Sequence, residues 1–403
     1  MGKKIIIFLL IGFLLRLYLS SQAASVLIWD MEAFDHLAKE VLAGHWAIDC
    51  CLRNTGYSLF LSVVYFIFGT DNIVALRVIQ IILDMGVALI IFKIAREMFG
   101  EKIGLASFIL YIINPFTSTF TGWRLSESLT LFLVSLVMLI VSRGNFTKRK
   151  LLWFLFGLVL GLLLFVRYQF YYFSFIFIFL LSALYFRKFN KIIFPAVVMI
   201  GFLLASSYTL VGNWANFKII SLVHPYDMAA GRLYLIFYTQ RYPELGFTTK
   251  VDPEYGRVLA EYDSTDDKIG FTNKYLSLFF SRLSRDYPLF IKNYLMNIYF
   301  LWDKEYMYVY RDPFYPADKY PLKIYNLAVL ILFAVGFVGF IKVKRKKALR
   351  STMVIFTGLF FLYATFVFTL VSSESRHSLP FYPLIFLWAG YGIVRLKNIL
   401  YKK

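Results

Sequence analysis

The chain has 403 residues, 60% hydrophobic and 20% aromatic, and carries a formal net charge of +19. A soluble protein is roughly 45–50% apolar, and 44 Phe with 29 Tyr are more than soluble cores of this size can hide, which excludes a string of soluble domains. The basic residues stand in short clusters between long apolar runs, the punctuation of a polytopic membrane protein and not a nucleic-acid footprint.

Hydropathy predicts an all-α polytopic membrane protein with about ten transmembrane helices, at 5–22, 72–92, 103–120, 126–142, 151–167, 168–186, 192–212, 321–341, 351–372 and 379–396. With the N-terminus inside, the short inner segments are 1–4, 93–102, 143–150, 186–191, 342–350 and 395–403. They hold 22 of the 43 Lys and Arg against two acids, Glu97 and Glu101. The inner face is therefore about +20 and the remainder about −1, a strong positive-inside signal. It predicts cytoplasmic N- and C-termini in a cytoplasmic (plasma) membrane. Ser20 to Ser25 imitates a signal-peptidase site, but Arg16 interrupts the apolar region and no cleavage is expected. Asn145-Phe146-Thr147 has the form of a glycosylation acceptor on the inner side, where it carries no meaning.

The chain divides into an N-terminal transmembrane module (1–212) with an outer loop at 23–71, an outer-face domain (213–320) and a C-terminal three-span module (321–403). In the first outer loop, Trp29 to Gly44 reads as a short amphipathic helix lying on the membrane surface. Ala33, Phe34, Leu37, Ala38, Val41 and Leu42 share one side; Asp35, His36, Lys39 and Glu40 take the other. Gly56 to Gly69 is apolar but short, and reads as a second surface or re-entrant helix. The outer-face domain has little hydrophobic patterning before residue 270, then two helix-like runs at 271–285 and 287–302. Its tyrosines, among them Tyr255, Tyr262, Tyr299, Tyr306, Tyr308 and Tyr310, suit a membrane interface or the face of a sugar.

The charged residues near the outer boundary admit two readings each. Asp30 is either an N-cap at the end of a span, or a carboxylate reaching both a lipid-borne and a water-borne substrate. Arg16 would reach the outer surface and orient Asp30; Arg77 and Asp84 would pair within the bundle; Arg124 and Glu127, in one outer turn, would pair with each other. Arg167 and Arg376 either snorkel to the headgroups or bind an anion. All four histidines, His36, His45, His224 and His377, fall on the outer side, with Asp49, Cys50 and Cys51 near two of them. Adjacent cysteines read as two free thiols, since a bond between them would be strained. No zinc-type spacing is present and no cofactor is expected; a divalent ion held by Asp30, Glu32 or the histidines is the alternative.

The order Asp30-x3-Phe34-x3-Ala38-x5-Gly44, then Gly56-Tyr57 and Phe68-Gly69, resembles the first outer loop of the glycosyltransferase C superfamily. That superfamily includes protein O-mannosyltransferases and the aminoarabinose transferases that modify lipid A. Further similarity lies in Arg77 and Gln80, Asn114-Pro115, Ser126-Glu127-Ser128-Leu129, and the segment Glu374-Ser375-Arg376-His377 followed by Pro380 and Pro383. The matches cover the first ~140 residues and the last span. Three departures stand out: His377 replaces the tyrosine that follows the arginine, Asn54-Thr55 replaces a proline, and Leu301-Trp302-Asp303 carries a single tryptophan. With no soluble domain expected after the membrane part, the resemblance points to transfer of a single sugar and away from transfer of an oligosaccharide en bloc.

The resemblance implies a polyprenyl-phosphate sugar donor, a hydroxyl acceptor of a lipid, glycan or protein, and an inverting transfer through an oxocarbenium-like state. It makes Asp30 the general base, with Glu32 and Asp35 as reserves. Arg376, Arg167 and Arg124, with His377, Glu127 and Tyr57, are the implied phosphate and donor site, since a guanidinium stays charged and grips phosphate bidentately. The rival expectation is a transporter or flippase for a lipid-linked substrate, which would carry ionisable residues at mid-depth in several spans.

Overall fold

The computed structural model describes residues 2–23, 27, 30–45, 55–143, 146–184, 193–223, 228–238, 253–304, 319–349, 351–371 and 375–400. Among them every regular element is helical. The chain begins with α1 (Gly2–Ser21), α2 (Asp30–Leu42), α3 (Thr55–Phe68) and α4 (Ile73–Phe99). Next come α5 (Glu101–Ile112), α6 (Pro115–Thr119), α7 (Glu127–Ser142), α8 (Lys150–Val166), α9 (Tyr171–Leu184) and α10 (Ile193–Phe217). Between α10 and residue 304 lie α11 (Ala229–Leu235), α12 (Pro253–Ser264), α13 (Lys268–Arg285) and α14 (Tyr287–Trp302). The chain continues through α15 (Lys319–Leu349), α16 (Thr352–Tyr363), a π-helical stretch Ala364–Phe368, α17 (Thr369–Val371), a 3-10 segment Ser375–Phe381, and α18 (Tyr382–Leu400).

Five stretches, Gly2–Ser21, Ile73–Phe99, Ile193–Phe217, Tyr320–Val343 and Ser375–Asn398, are long and apolar enough to cross a membrane. A sixth arises if α5 and Pro115–Gly122 form one broken span, bent by 47°. The break has a local cause: Pro115 offers no N–H and pushes the preceding residue out of helical geometry. Asn114 then caps the new start by accepting the Phe116 N–H at 3.2 Å. The remaining four expected spans coincide with α7, α8, 168–184 and 352–368, which are apolar but only 10–17 residues long.

Two basic segments expected as inner loops are largely helix. α4 carries Lys93 and Arg96 on to Phe99 and stops at Gly100, whose φ of +97° suits glycine. α15 runs through the 342–349 cluster. Lys and Arg are good helix formers, so a charge cluster ends the apolar run without ending the helix. The stretch 213–270, which carries little hydrophobic patterning, holds α11 and α12. Of the twelve residues of α12 only Val258 is buried, too little to leave an apolar period in the sequence.

Glycines set the tightest contacts. On α8, a Cβ at Gly157 would stand 1.9 Å from the Val198 carbonyl oxygen of α10. From the other side, a Cβ at Gly201 would stand 2.3 Å from that of Phe154. Lipid tails are as apolar as Leu, so membrane helices associate through such backbone approach and not through hydrophobic exclusion. α15 and α18 use the same device at Gly336 and Gly392. One core joins the helices from α2 to α10 with α15, α16 and α18; a smaller one joins α11 through α14 around Tyr234, Phe237, Phe271, Tyr275 and Phe279.

Deep in the main bundle, the Nε of Arg16 meets Asp84 at 2.5 Å, both fully buried. Tyr111 donates to the same carboxylate, and Arg16 donates to the carbonyls of Ile112 and Gly12 at 3.0 and 3.2 Å. This corrects two sequence readings. Arg16 is committed to Asp84 and does not orient Asp30, and Arg77 serves the carbonyls of Gly122 and Ala23 instead of pairing with Asp84. A charged residue inside an apolar span gives no hint of which neighbouring helix it will face.

Arg16→Met should cost about 3–5 kcal/mol, because it strands a buried carboxylate, whereas adding Asp84→Leu should recover most of the loss. A double-mutant cycle of thermal unfolding in detergent checks this. Gly157→Val should cost roughly 1–3 kcal/mol by overpacking, while the same change at Gly256, where a Cβ meets nothing within 4 Å, should shift the midpoint far less.

Candidate active site

α2 opens at Asp30, so the carboxylate sits on the first residue of a helix with Glu32 also in the first turn. Two-thirds buried, Asp30 accepts a hydrogen bond at 2.7 Å from the Nη2 of Arg376, 346 residues further along the chain. Arg376 belongs to the 3-10 segment that precedes α18. Its Nη1 lies 3.9 Å from Oε1 of Glu127, the first residue of α7. That oxygen in turn accepts from the Nη2 of Arg167 at 2.6 Å. Arg167 directly follows α8, and its Nε donates to Ser126 at 3.0 Å. Asp30, Arg376, Glu127 and Arg167 thus form one line of alternating charge. All but Asp30 are almost completely withdrawn from solvent.

The line is not saturated. Among the described residues, Oε2 of Glu127, Nη1 of Arg167 and Nδ1 of His377 are buried without a hydrogen-bond partner. Buried polar groups are normally paired, so these three atoms hold unused hydrogen-bonding capacity around two arginines. His377 also feels the charges of Arg376, Arg167, Arg232 and Lys304, a surplus of cations suited to an anion.

A second network holds α2 in place. Arg124 donates to Asp35 Oδ1 at 2.7 Å and Tyr65 donates to the same carboxylate. Lys39 bridges Asp35 and Asp71, each at 2.9 Å, and Arg124 stands 3.4 Å from Asp71. The hydrogen bonds to these two carboxylates push the Lys39 ammonium above its ordinary pKa. Two expectations change here. Asp35 is buried and ion-paired instead of lying on the exposed side of the helix, because Arg124 and Tyr65 cover it. Arg124 pairs with Asp35 and not with Glu127: residues 123–126 form turns and α7 starts only at Glu127, so no helical spacing brings the two together.

Of the other expected residues, Tyr57 is fully buried and donates to Gln80 Oε1 at 3.1 Å. Gln80 in turn holds the carbonyls of Thr121 and Trp123 at 3.1 and 2.9 Å, so this pair braces the turn before α7. Glu32 and His36 are exposed. His45, also exposed, hydrogen-bonds Glu40 at 3.0 Å. Asp49, Cys50, Cys51, His224 and Glu374 lie outside the described residues. Among the described residues no three His, Cys, Asp or Glu side chains gather closely enough to hold a metal ion.

Sequence reasoning missed Lys304. This buried lysine donates to the carbonyl of Ser375 and, at 2.6 Å, to the hydroxyl of Ser378, which itself donates to the Leu301 carbonyl at 2.8 Å. It thereby clamps the segment that carries Arg376 and His377 to the end of α14. Its only sequence signal was a cation closing the apolar run 287–302 in Trp302-Asp303-Lys304.

Glu127→Gln keeps the volume and removes the charge shared by Arg167 and Arg376. It should lower stability by about 3–5 kcal/mol, whereas Ser126→Ala should cost only ~1 kcal/mol. Thermal unfolding of the two variants in one detergent makes the comparison.

Residues 55–210 match a family model described as dolichyl-phosphate-mannose-protein mannosyltransferase. That region contains Tyr57, Arg124, Glu127 and Arg167; Asp30 and Arg376 lie on either side of it. No curated protein matches the chain in sequence. Among solved structures, the chain is similar to the oligosaccharyltransferase of Archaeoglobus fulgidus in its apo form, at a TM-score of 0.55 and 12% identity. It is also similar to the archaeal oligosaccharyltransferase AglB from Archaeoglobus fulgidus, solved with an inhibitory peptide and a dolichol-phosphate, at a TM-score of 0.51 and 12% identity. Each likeness covers 99% of this chain and 51% of the other, so the chain spans about half the length of the structures it matches. At this identity the likeness is one of fold: this chain has the helical arrangement seen in those proteins.

Proposed function

We propose that this protein is a membrane glycosyltransferase that moves one sugar from a polyprenyl-phosphate carrier to a hydroxyl of a lipid, glycan or protein. The observation that carries the reading is the line Asp30–Arg376–Glu127–Arg167, which sets one partly accessible carboxylate beside two buried guanidiniums. The family matched by residues 55–210 is named for a single mannose on dolichyl phosphate, which supports a monosaccharide donor.

The chemistry follows from the charges. The donor phosphate meets Arg376 and Arg167, whose fixed positive charge favours the negative charge that develops on the leaving oxygen. A phosphate bound there competes with Asp30 for Arg376 and releases the Asp30 carboxylate. Asp30 then takes the proton of the acceptor hydroxyl as that oxygen bonds to the anomeric carbon. The carbon–oxygen bond to phosphate breaks, its electron pair stays with the phosphate, and the single displacement inverts the anomeric centre. Glu127 keeps the two arginines from drifting apart. A lipid phosphate is a good leaving group and needs no general acid.

The charge distribution supports cytoplasmic termini in a plasma membrane and a site on the outer face, with 1–212, 213–320 and 321–403 as membrane module, outer domain and C-terminal module. A transporter would want ionisable groups free at mid-depth. The buried Arg16 and Asp84 are instead ion-paired to each other at 2.5 Å, and Tyr111 and the Ile112 carbonyl hydrogen-bond to them.

The test supplies membranes with a panel of radiolabelled polyprenyl-phosphate sugars. With the accepted donor, Asp30→Asn should lower the transfer rate by about 10²–10⁴-fold. Arg376→Met should weaken both donor binding and turnover. Undiminished transfer by Asp30→Asn would remove the assigned base; failure of the wild type to bind any such donor would remove the function.

A further inference from the structure

On its packed side α14 buries two asparagines as well as Leu301: Asn293 donates to the Ile236 carbonyl at 2.9 Å, and Asn297 to the Thr369 carbonyl at 3.2 Å. Tyr294 donates to the Phe366 carbonyl at 2.7 Å and Trp302 to the Thr365 hydroxyl at 3.1 Å. Three of these four contacts fall on or beside the π-helical stretch Ala364–Phe368, where the widened turn leaves backbone oxygens in need of donors. The outward side is apolar. Tyr287, Ile291, Leu295 and Tyr299 recur every four residues, Met296 lies beside them, and all five are exposed, Leu295 by 58%. Lys292 is the one charged residue on that arc.

A helix facing water keeps its exposed side polar. The apolar arc also continues beyond α14. The Nζ of Lys323 reaches the Tyr299 hydroxyl at 3.4 Å, and from there Tyr320, Ile324, Leu327 and Ile331 form an exposed stripe along α15. α15 is one of the helices long and apolar enough to cross a membrane, so its exposed stripe faces lipid. Two joined apolar faces share one solvent.

We infer that the outward arc of α14 is a lipid-binding surface, seated in the boundary layer of the bilayer. Tyr287 and Tyr299 flank the seated face as interfacial anchors, and Lys292 extends its ammonium to the headgroups. Because Lys304 follows directly and clamps the segment of Arg376, the depth of α14 also sets the height of that arginine relative to the membrane. The inference does not depend on the proposed chemistry.

The experiment uses the full chain, with Cys50→Ser and Cys51→Ser, reconstituted in phosphatidylcholine–phosphatidylglycerol vesicles. Bimane is attached at Leu295→Cys, with Met296→Cys as a second position. Leu327→Cys on α15 is the lipid reference and Arg257→Cys on α12 the aqueous one. Acyl-chain-brominated lipids should quench the Leu295 and Met296 labels as strongly as the Leu327 label, and leave the Arg257 label bright. Quenching of the α14 labels by aqueous iodide and not by bromolipid would overturn the inference. Protection from both quenchers would overturn it as well, in favour of a protein partner or a second copy covering the face.

Discussion

Two arginines that cannot shed their protons are buried next to one fully buried glutamate, and this constraint organises the molecule. A guanidinium withdrawn from water needs a carboxylate close at hand. Glu127 supplies one oxygen to Arg167 and stands within reach of Arg376, and Asp30 supplies the other contact to Arg376. Satisfying both cations forces the starts of α2 and α7, the end of α8 and the segment before α18 to meet at one place. Asp30 is the most exposed member of that line, so the same electrostatics that closes the bundle leaves a single carboxylate facing outward.

Separate devices hold the two ends of the line. On the Asp30 side, Arg124, Tyr65 and Lys39 gather on Asp35 one helical turn further along, which fixes how α2 is rotated. On the Arg376 side, Lys304 fixes the carbonyl and hydroxyl of the segment that bears the arginine. Both restrict how far Asp30 and Arg376 can separate.

Much of the architecture was legible because apolar length and helix punctuation are local. Asp30 opening α2, the stop near Gly44 and the run 287–302 all follow from short-range chemistry. The helices of the basic segments, 93–99 and 342–349, were hidden because charge ends hydropathy without ending hydrogen bonding. α12 was hidden because it buries almost nothing.

The amino-acid sequence by itself determined that this chain is a helical membrane protein, where its apolar helices lie, and most of the cations and carboxylates near their ends. These depend on composition and on spacings of three or four residues. Only the tertiary structure decided the partners. Arg124 takes Asp35 from 89 residues away in preference to Glu127 three positions on, Arg16 takes Asp84 across 68, and Arg376 takes Asp30 across 346. A buried charge chooses whichever counter-charge the packing brings within hydrogen-bond reach, and close backbone approach at glycines such as Gly157 and Gly201 settles that packing in three dimensions.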